Sequence, residues 1–346
     1  MKYSGINAKI GAMRGKLLDY DGYAALAASK TVEDLCYRLK ELPAYTACME
    51  DIDAEHMHRG FIEQRLGQAL YEDYTRLYSF IEDFPIRRFL DAFFLKHEIL
   101  VIKLLLCMIY DQRESEYNLN EMKLMLGKRL HLDIPRLLQC KTVADFIDSL
   151  EGSPFYKALY NVYSESTTLY QLEVQLDLYY YLNLWKLLSR LLDEKNRKIM
   201  KNIIGTEIDL INIAWVSRLK TYYRLTDSLI YASLIPVNYR LSSSAVNRMV
   251  EAKTHEEFTA EILGSFYGKY FTEGQTVDQV YLNAMDHIYR FEQVMQPKSI
   301  AGLVGYVYSK ETEIRNIVSL LEGVRYGLPA KDILAFLRIR VRKEVG

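Results

Sequence analysis

Three short segments of the sequence carry one pattern: KTVEDL at 30–35, KTVADF at 141–146 and KTHEEF at 253–258. Their spacing is even (141 − 30 = 111 and 253 − 141 = 112 residues). That is much longer than the period of ordinary helical solenoids, whose units run to about 30–50 residues. A second landmark, a Glu-Ile pair, follows each segment in the same order: Glu98-Ile99, Glu207-Ile208 and Glu313-Ile314. Each first landmark is also followed by an aromatic beside a turn residue: Tyr45 after Pro43, Tyr156 after Pro154, and Tyr267 between Gly264 and Gly268. Landmarks recurring in a fixed order mean that one supersecondary design is used three times. The repeat sets the expected units at 1–115, 116–226 and 227–346.

The first landmark has a physical reading as a helix start. Thr31, Thr142 and Thr254 are each followed three residues later by an acid, Asp34, Asp145 and Glu257. A threonine at the N-cap accepts a hydrogen bond from an otherwise orphaned backbone N–H, and an acid in the first turn complements the helix dipole. Between the landmarks, apolar residues recur at helical spacing. Ile62, Leu66, Leu70, Tyr74 and Leu77 do so in the first unit, and Leu172, Leu176, Tyr180, Leu184 and Leu188 in the second. In the third, Val277, Tyr281, Ala284, Ile288, Phe291 and Met295 alternate steps of four and three. These are helix periods, not strand periods. Pro85 and Pro297 then read as first-turn residues of a further helix, a position where proline's missing N–H costs nothing. The expected fold is all-α, in three related helical units. A polar link, 111–120, separates the first two.

Composition agrees with long helices. The 346 residues include only 17 Gly and 7 Pro, so chain breakers are scarce. Lys plus Arg number 44 against 45 Asp plus Glu. This balance argues against a dedicated nucleic-acid binder, which shows a basic excess. Cys36, Cys48, Cys107 and Cys140 lack zinc-ligand spacing, and a chain of this length needs no disulfide staples, so they read as reduced thiols in a cytoplasmic protein. The opening MKYSGINAKIGAMRG lacks the continuous apolar run of a signal peptide. The most apolar stretch, 89–110, contains Asp91, Lys96, His97, Glu98 and Lys103. A charge at the centre of a bilayer costs roughly 2.5–3.5 kcal/mol, so this stretch reads as a buried helix and not a membrane span.

Catalytic patterns are weak. Gly264-Ser-Phe-Tyr-Gly268-Lys269-Tyr270 is one residue short of a phosphate-binding loop and has a tyrosine where magnesium needs a hydroxyl-bearing Ser or Thr. It reads as a helix C-terminus. His56 and His58, near Asp53 and Glu55, form a polar loop without a nearby third histidine. The repeated glutamates, Glu98, Glu207 and Glu313, lie in or beside apolar helices, where an unpaired acid is costly. Lys103, Arg218 and Arg325 follow on the same helices and are candidate partners. A proton-carrying role for these acids is the sharper alternative to structural pairing. No cofactor or metal ligand set is expected.

The three KT-x-x-[DE]-[LF] helix starts, the aromatics after them and the repeated Glu-Ile helices resemble the central-stalk C-subunit family of V/A-type ATPases (ATP synthases), which is related to the d subunit of the eukaryotic V-ATPase. The likeness extends over essentially the whole chain. It implies three units in a pseudo-threefold funnel, acting as a non-catalytic rotor adaptor. The implied partners are the membrane proteolipid ring and the central shaft built from the D and F subunits. Membrane contact would be indirect, through the ring at the cytoplasmic face, and the transported ion H⁺ or Na⁺. A surplus of tyrosine (28 residues against 2 Trp) suits wet interfaces, since tyrosine offers apolar area with a polar tip. A helical-repeat scaffold that binds a partner protein, or an all-α enzyme built on a buried acid, are the rival classes.

Overall fold

The computed structural model describes residues 4–50, 59–112, 131–272 and 274–339. His56, His58 and most of the 111–120 link lie outside them. The described residues form sixteen α-helices and no strand. In chain order these are α1 (Ser4–Arg14), α2 (Tyr20–Ala27), α3 (Val32–Glu41), α4 (Arg59–Tyr78), α5 (Phe84–Tyr110), α6 (Ile134–Leu137), α7 (Val143–Ser149) and α8 (Tyr156–Tyr160). They continue as α9 (Leu169–Leu191), α10 (Glu194–Thr221), α11 (Asp227–Ser233), α12 (Ser243–Glu251), α13 (His255–Leu263), α14 (Val277–Met295), α15 (Ala301–Arg325) and α16 (Ala330–Phe336).

Local sequence explains where these helices begin. Thr31 Oγ1 accepts from the Asp34 N–H at 3.1 Å, Thr142 Oγ1 from Asp145 at 3.1 Å, and Thr254 Oγ1 from Glu257 at 3.2 Å. Each bond satisfies a first-turn donor and is worth about 1 kcal/mol. Thr168 with Gln171, and Thr276 with Gln279, form reciprocal capping boxes at the starts of α9 and α14. Asp83 and Asp193 cap α5 and α10. The apolar stripes lie on α4, α9 and α14. Pro85 sits in the first turn of α5, but Pro297 does not open a helix. It lies in a turn ahead of α15, whose first N–H groups are met instead by side chains: Ile300 N donates to Asn196 Oδ1 and Ala301 N to Ser299 Oγ. Gly264 ends α13, and the loop after it brings Gly268 so close to the Leu263 carbonyl that a Cβ would overlap it. That close approach explains the glycine without a phosphate.

The chain divides into two compact units. The first draws on Met1–Glu82, Glu114–Gln139 and Gly302–Gly346. Its core joins Leu35, Cys36 and Leu39 of α3, Ile62 and Leu66 of α4, Ile317, Leu320 and Leu321 of α15, and Ile333 of α16. The early and late parts of the chain thus share one apolar interior. The second unit draws on Asp83–Arg113 and Cys140–Ala301. There α9 packs along α5 and α10, and α10 packs along α14. The apolar stretch 89–110 lies in α5, and no described helix is long and apolar enough to cross a membrane. The four cysteines are free thiols, with Cys36 and Cys48 buried.

Candidate functional site

Among the described residues the three longest helices, α5, α10 and α15, carry the repeated glutamates, and buried polar side chains on α15 in the first unit and on α10 in the second define a candidate site in each. On α15, Glu313 is 2 % exposed and Lys310, one turn earlier, is 1 % exposed. Glu313 Oε1 accepts from Lys310 Nζ at 2.9 Å and from the Tyr45 hydroxyl at 2.5 Å, while Oε2 accepts from the Leu18 N–H at 2.5 Å. Lys310 Nζ also lies 3.9 Å from the Tyr45 ring centroid, a cation–π contact. Burial first, then the Glu313 charge, holds the Tyr45 phenol well above its ordinary range, so it stays protonated and donates. An ammonium, a phenol and an amide thereby meet one buried carboxylate.

On α10 the comparable acid is Asp209. Its Oδ1 accepts from the Tyr239 N–H at 3.1 Å. Its Oδ2 accepts from the N–H groups of Arg240 and Leu241 at 2.7 and 2.9 Å and from the Tyr267 hydroxyl at 2.7 Å. Burial raises the Asp209 carboxyl despite these donors, and burial with the Asp209 charge raises the Tyr267 phenol. Both acids are followed three residues later by an asparagine, on the same helix face. Asn212 exchanges two bonds with the backbone of Ile235, both 2.9 Å. Asn316 does the same with Arg338, at 3.0 and 3.1 Å, and also donates to the Tyr23 hydroxyl. Acid and amide together clamp a following or distant segment onto a long helix.

These clamps place the residues of the repeat as follows. Tyr45 and Glu313 meet in the first unit, whereas Tyr267 in the second meets Asp209 and not Glu207. Glu207, two residues before Asp209, is half-buried and accepts from Tyr181 and Tyr281 at 3.2 and 3.3 Å. Glu98 is buried on α5. In the middle repeat the residue beside Tyr156, Phe155, is fully buried, while Tyr156 is half-buried and packs on Tyr160. The basic residues that follow the glutamates have other partners: Lys103 binds both oxygens of Asp177 at 2.7 Å, Arg218 binds Asp278, and Arg325 binds Glu322. Helical rise explains the last two. Arg218 and Arg325 lie roughly 16–18 Å along the axis from Glu207 and Glu313.

Sequence patterning did not mark Asp209, Asn212, Asn316 or Lys310 as clamps, nor Asp177 as the partner of Lys103. The acid-x-x-Asn spacing common to 209–212 and 313–316 is the signal that identifies the clamps. Beside Lys310, a cleft of about 70 Å³ is lined by Asp73, Arg76 and Tyr306 among others, with the Tyr306 hydroxyl donating to Asp73 at 2.5 Å. Small-molecule sites occupy about 300–1,000 Å³, so this cleft is far too small for a nucleotide. Among the described residues no group of three His, Cys, Asp or Glu side chains could hold a metal ion.

The fold and these clamps define an all-α protein whose buried charged groups tie segments of chain onto long helices. The profile of the ATP synthase (C/AC39) subunit family matches residues 6–336. Similar proteins include the A-type ATP synthase C subunit of Methanosphaera stadtmanae, 27 % identical over 359 residues, covering 97 % of this chain and 87 % of that one. Those of Methanobrevibacter smithii and Methanocaldococcus jannaschii are each 23 % identical, covering 96 % and 97 % of this chain and 86 % of their own. The chain belongs to the ATP synthase (C/AC39) subunit family, and is a structural, non-catalytic subunit of a V/A-type rotary ATPase.

Proposed function

We propose that this subunit is the rotor adaptor of its complex. It receives the end of the shaft built by the D and F subunits and passes rotation to the membrane proteolipid ring at the cytoplasmic face, for ATP-linked transport of H⁺ or Na⁺. The observation that carries the reading is the family match across residues 6–336. The clamps support it physically. A body that transmits torque must not shear, and each clamp ties a segment to a long helix through a buried group that is costly to unpair. The helix ends supply contact chemistry. Tyr222, which caps α10, is 79 % exposed, and Tyr326, just after α15, is 71 % exposed. Tyrosine is enriched in protein interfaces.

The test is co-purification of the full chain, in mild detergent, with the proteolipid ring and separately with a D–F shaft complex. Retention by both is the expected result. Retention by neither, with a folded chain, overturns the adaptor reading.

A further inference from the structure

A strip of alternating cations and rings crosses the surface of the second unit. Lys201 Nζ lies 5.6 Å from the Trp185 ring, and Trp185 meets Tyr239 edge to face at 6.3 Å. The Arg240 guanidinium lies 5.1 Å from the Tyr239 ring and 4.2 Å from that of Phe266. Lys269 Nζ is 4.0 Å from Phe266 and 5.0 Å from Tyr270. Tyr270 hydrogen-bonds His287 Nδ1 at 3.2 Å, and His287 stacks on Phe291. The residues come from α9, α10, α14 and two loops, so only the tertiary fold assembles them.

Lys201, Arg240 and Lys269 are all exposed, and among the described residues none of them forms an ion pair. Their charge is held in place by the negative ring faces, which leaves it available to an outside anion. Three features select the kind of anion. The Phe266 ring already carries both Arg240 and Lys269, so it is not open for the base stacking that single-stranded nucleic acid requires. Trp185, Tyr239, Phe266 and Tyr270 are half-buried, so they do not project as wedges into a lipid interface. Arg240 and Lys269 lie over one ring, hence no further apart than their two distances to it combined. Carboxylates one helical turn apart, about 5–6 Å between Cβ atoms, fit such a pair.

We propose that this strip docks an acidic helical segment of a partner protein, with carboxylates one turn apart on Arg240 and Lys269 and apolar side chains against Trp185. Arginine and large aromatics are the residues that dominate binding energy in protein interfaces. The strip lies wholly in the second unit, and its occupant is defined by chemistry independently of the ring and shaft.

The test uses the full chain with Trp215→Phe, which leaves Trp185 as the sole tryptophan and a reporter within the strip. The probe is a helical peptide of about 20 residues with glutamates one turn apart, flanked by leucines. Its twin has lysine for every glutamate. Vesicles of phosphatidylglycerol in phosphatidylcholine and an oligothymidylate are the other two arms. The expected result is a saturable, salt-sensitive change in Trp185 fluorescence with the glutamate peptide alone, weakened at least about tenfold by Arg240→Glu with Lys269→Glu and unchanged by Lys331→Glu, a charge reversal outside the second unit. Circular dichroism of each variant confirms folding. No saturable response to the glutamate peptide overturns the proposal, as does equal binding of the lysine twin or undiminished binding by the double variant. A response confined to vesicles or to oligothymidylate likewise overturns it in favour of that anion.

Discussion

At the scale of single residues, the Lys310–Glu313–Tyr45 cluster illustrates how a buried charge is tolerated. Breaking a buried pair by removing one partner costs about 3–5 kcal/mol, because the survivor is left charged in the interior. Lys310→Met is expected to lower stability by that order, measured by the urea midpoint of the full chain. Lys310→Met combined with Glu313→Leu should recover only part of the loss, since the apolar pair carries no uncompensated charge but leaves the Tyr45 hydroxyl and the Leu18 N–H without their acceptor. No recovery in the double variant would mean that Tyr45 and Leu18 depend on the carboxylate for more than charge balance. Asp209 makes a second prediction, about pH. Its carboxyl is raised by burial, so above the ordinary carboxylate range, from about pH 4, the folded chain keeps a proton that the unfolded chain has released. The contribution of this group to stability is therefore complete at lower pH, declines as pH rises to the raised value, and is level beyond it. Asp209→Asn does not titrate and should show a flatter decline in urea midpoint over that interval. The same slope in both proteins would mean that Asp209 is not raised.

At the scale of elements, the helices are fixed by local chemistry and their packing by small departures from it. Gly205 in the middle of α10 is an example. Alanine is the better helix former by about 1 kcal/mol, so propensity alone predicts that Gly205→Ala stabilises. A Cβ there, however, would overlap the Tyr239 ring, and overpacking typically costs about 1–3 kcal/mol. Overpacking should win, because the bond from the Tyr239 N–H to Asp209, one turn further along α10, ties Tyr239 to the same helix. Gly205→Ala is expected to lower the urea midpoint and to change the fluorescence of Trp185, whose ring meets Tyr239. A rise in midpoint would show that the ring moves aside freely. The caps at Thr31, Thr142 and Thr254 behave differently. Each is satisfied within three residues of chain, which is why the spacing of threonine and acid is readable without a fold.

At the scale of the whole molecule, co-purification with ring and shaft is the decisive measurement, because the family match extends over residues 6–336 but does not itself identify the contacts the chain makes. Much of the fold was legible from the sequence. The apolar steps of three and four in 62–77, 172–188 and 277–295 are properties of one helix at a time, and so are the caps. The site was less so. The Glu-Ile landmark leads to Glu207, whereas the side chain that meets Tyr267 is Asp209, and in the middle repeat Phe155, beside Tyr156, is the fully buried one of the two. Within a helix the dipeptide gives no indication of which acid will face a neighbour, since a shift of two residues turns it to another face. Lys310 escapes notice for a related reason: a lysine one turn from a glutamate looks like a surface pair until the packing buries it. The sequence by itself determined the helices, their starts and the apolar faces, all set by interactions spanning a few residues. Only the tertiary structure decided which polar groups are clamped together, because Tyr45 meets Glu313 across 268 residues and Tyr23 meets Asn316 across 293, distances over which sequence spacing carries no geometry.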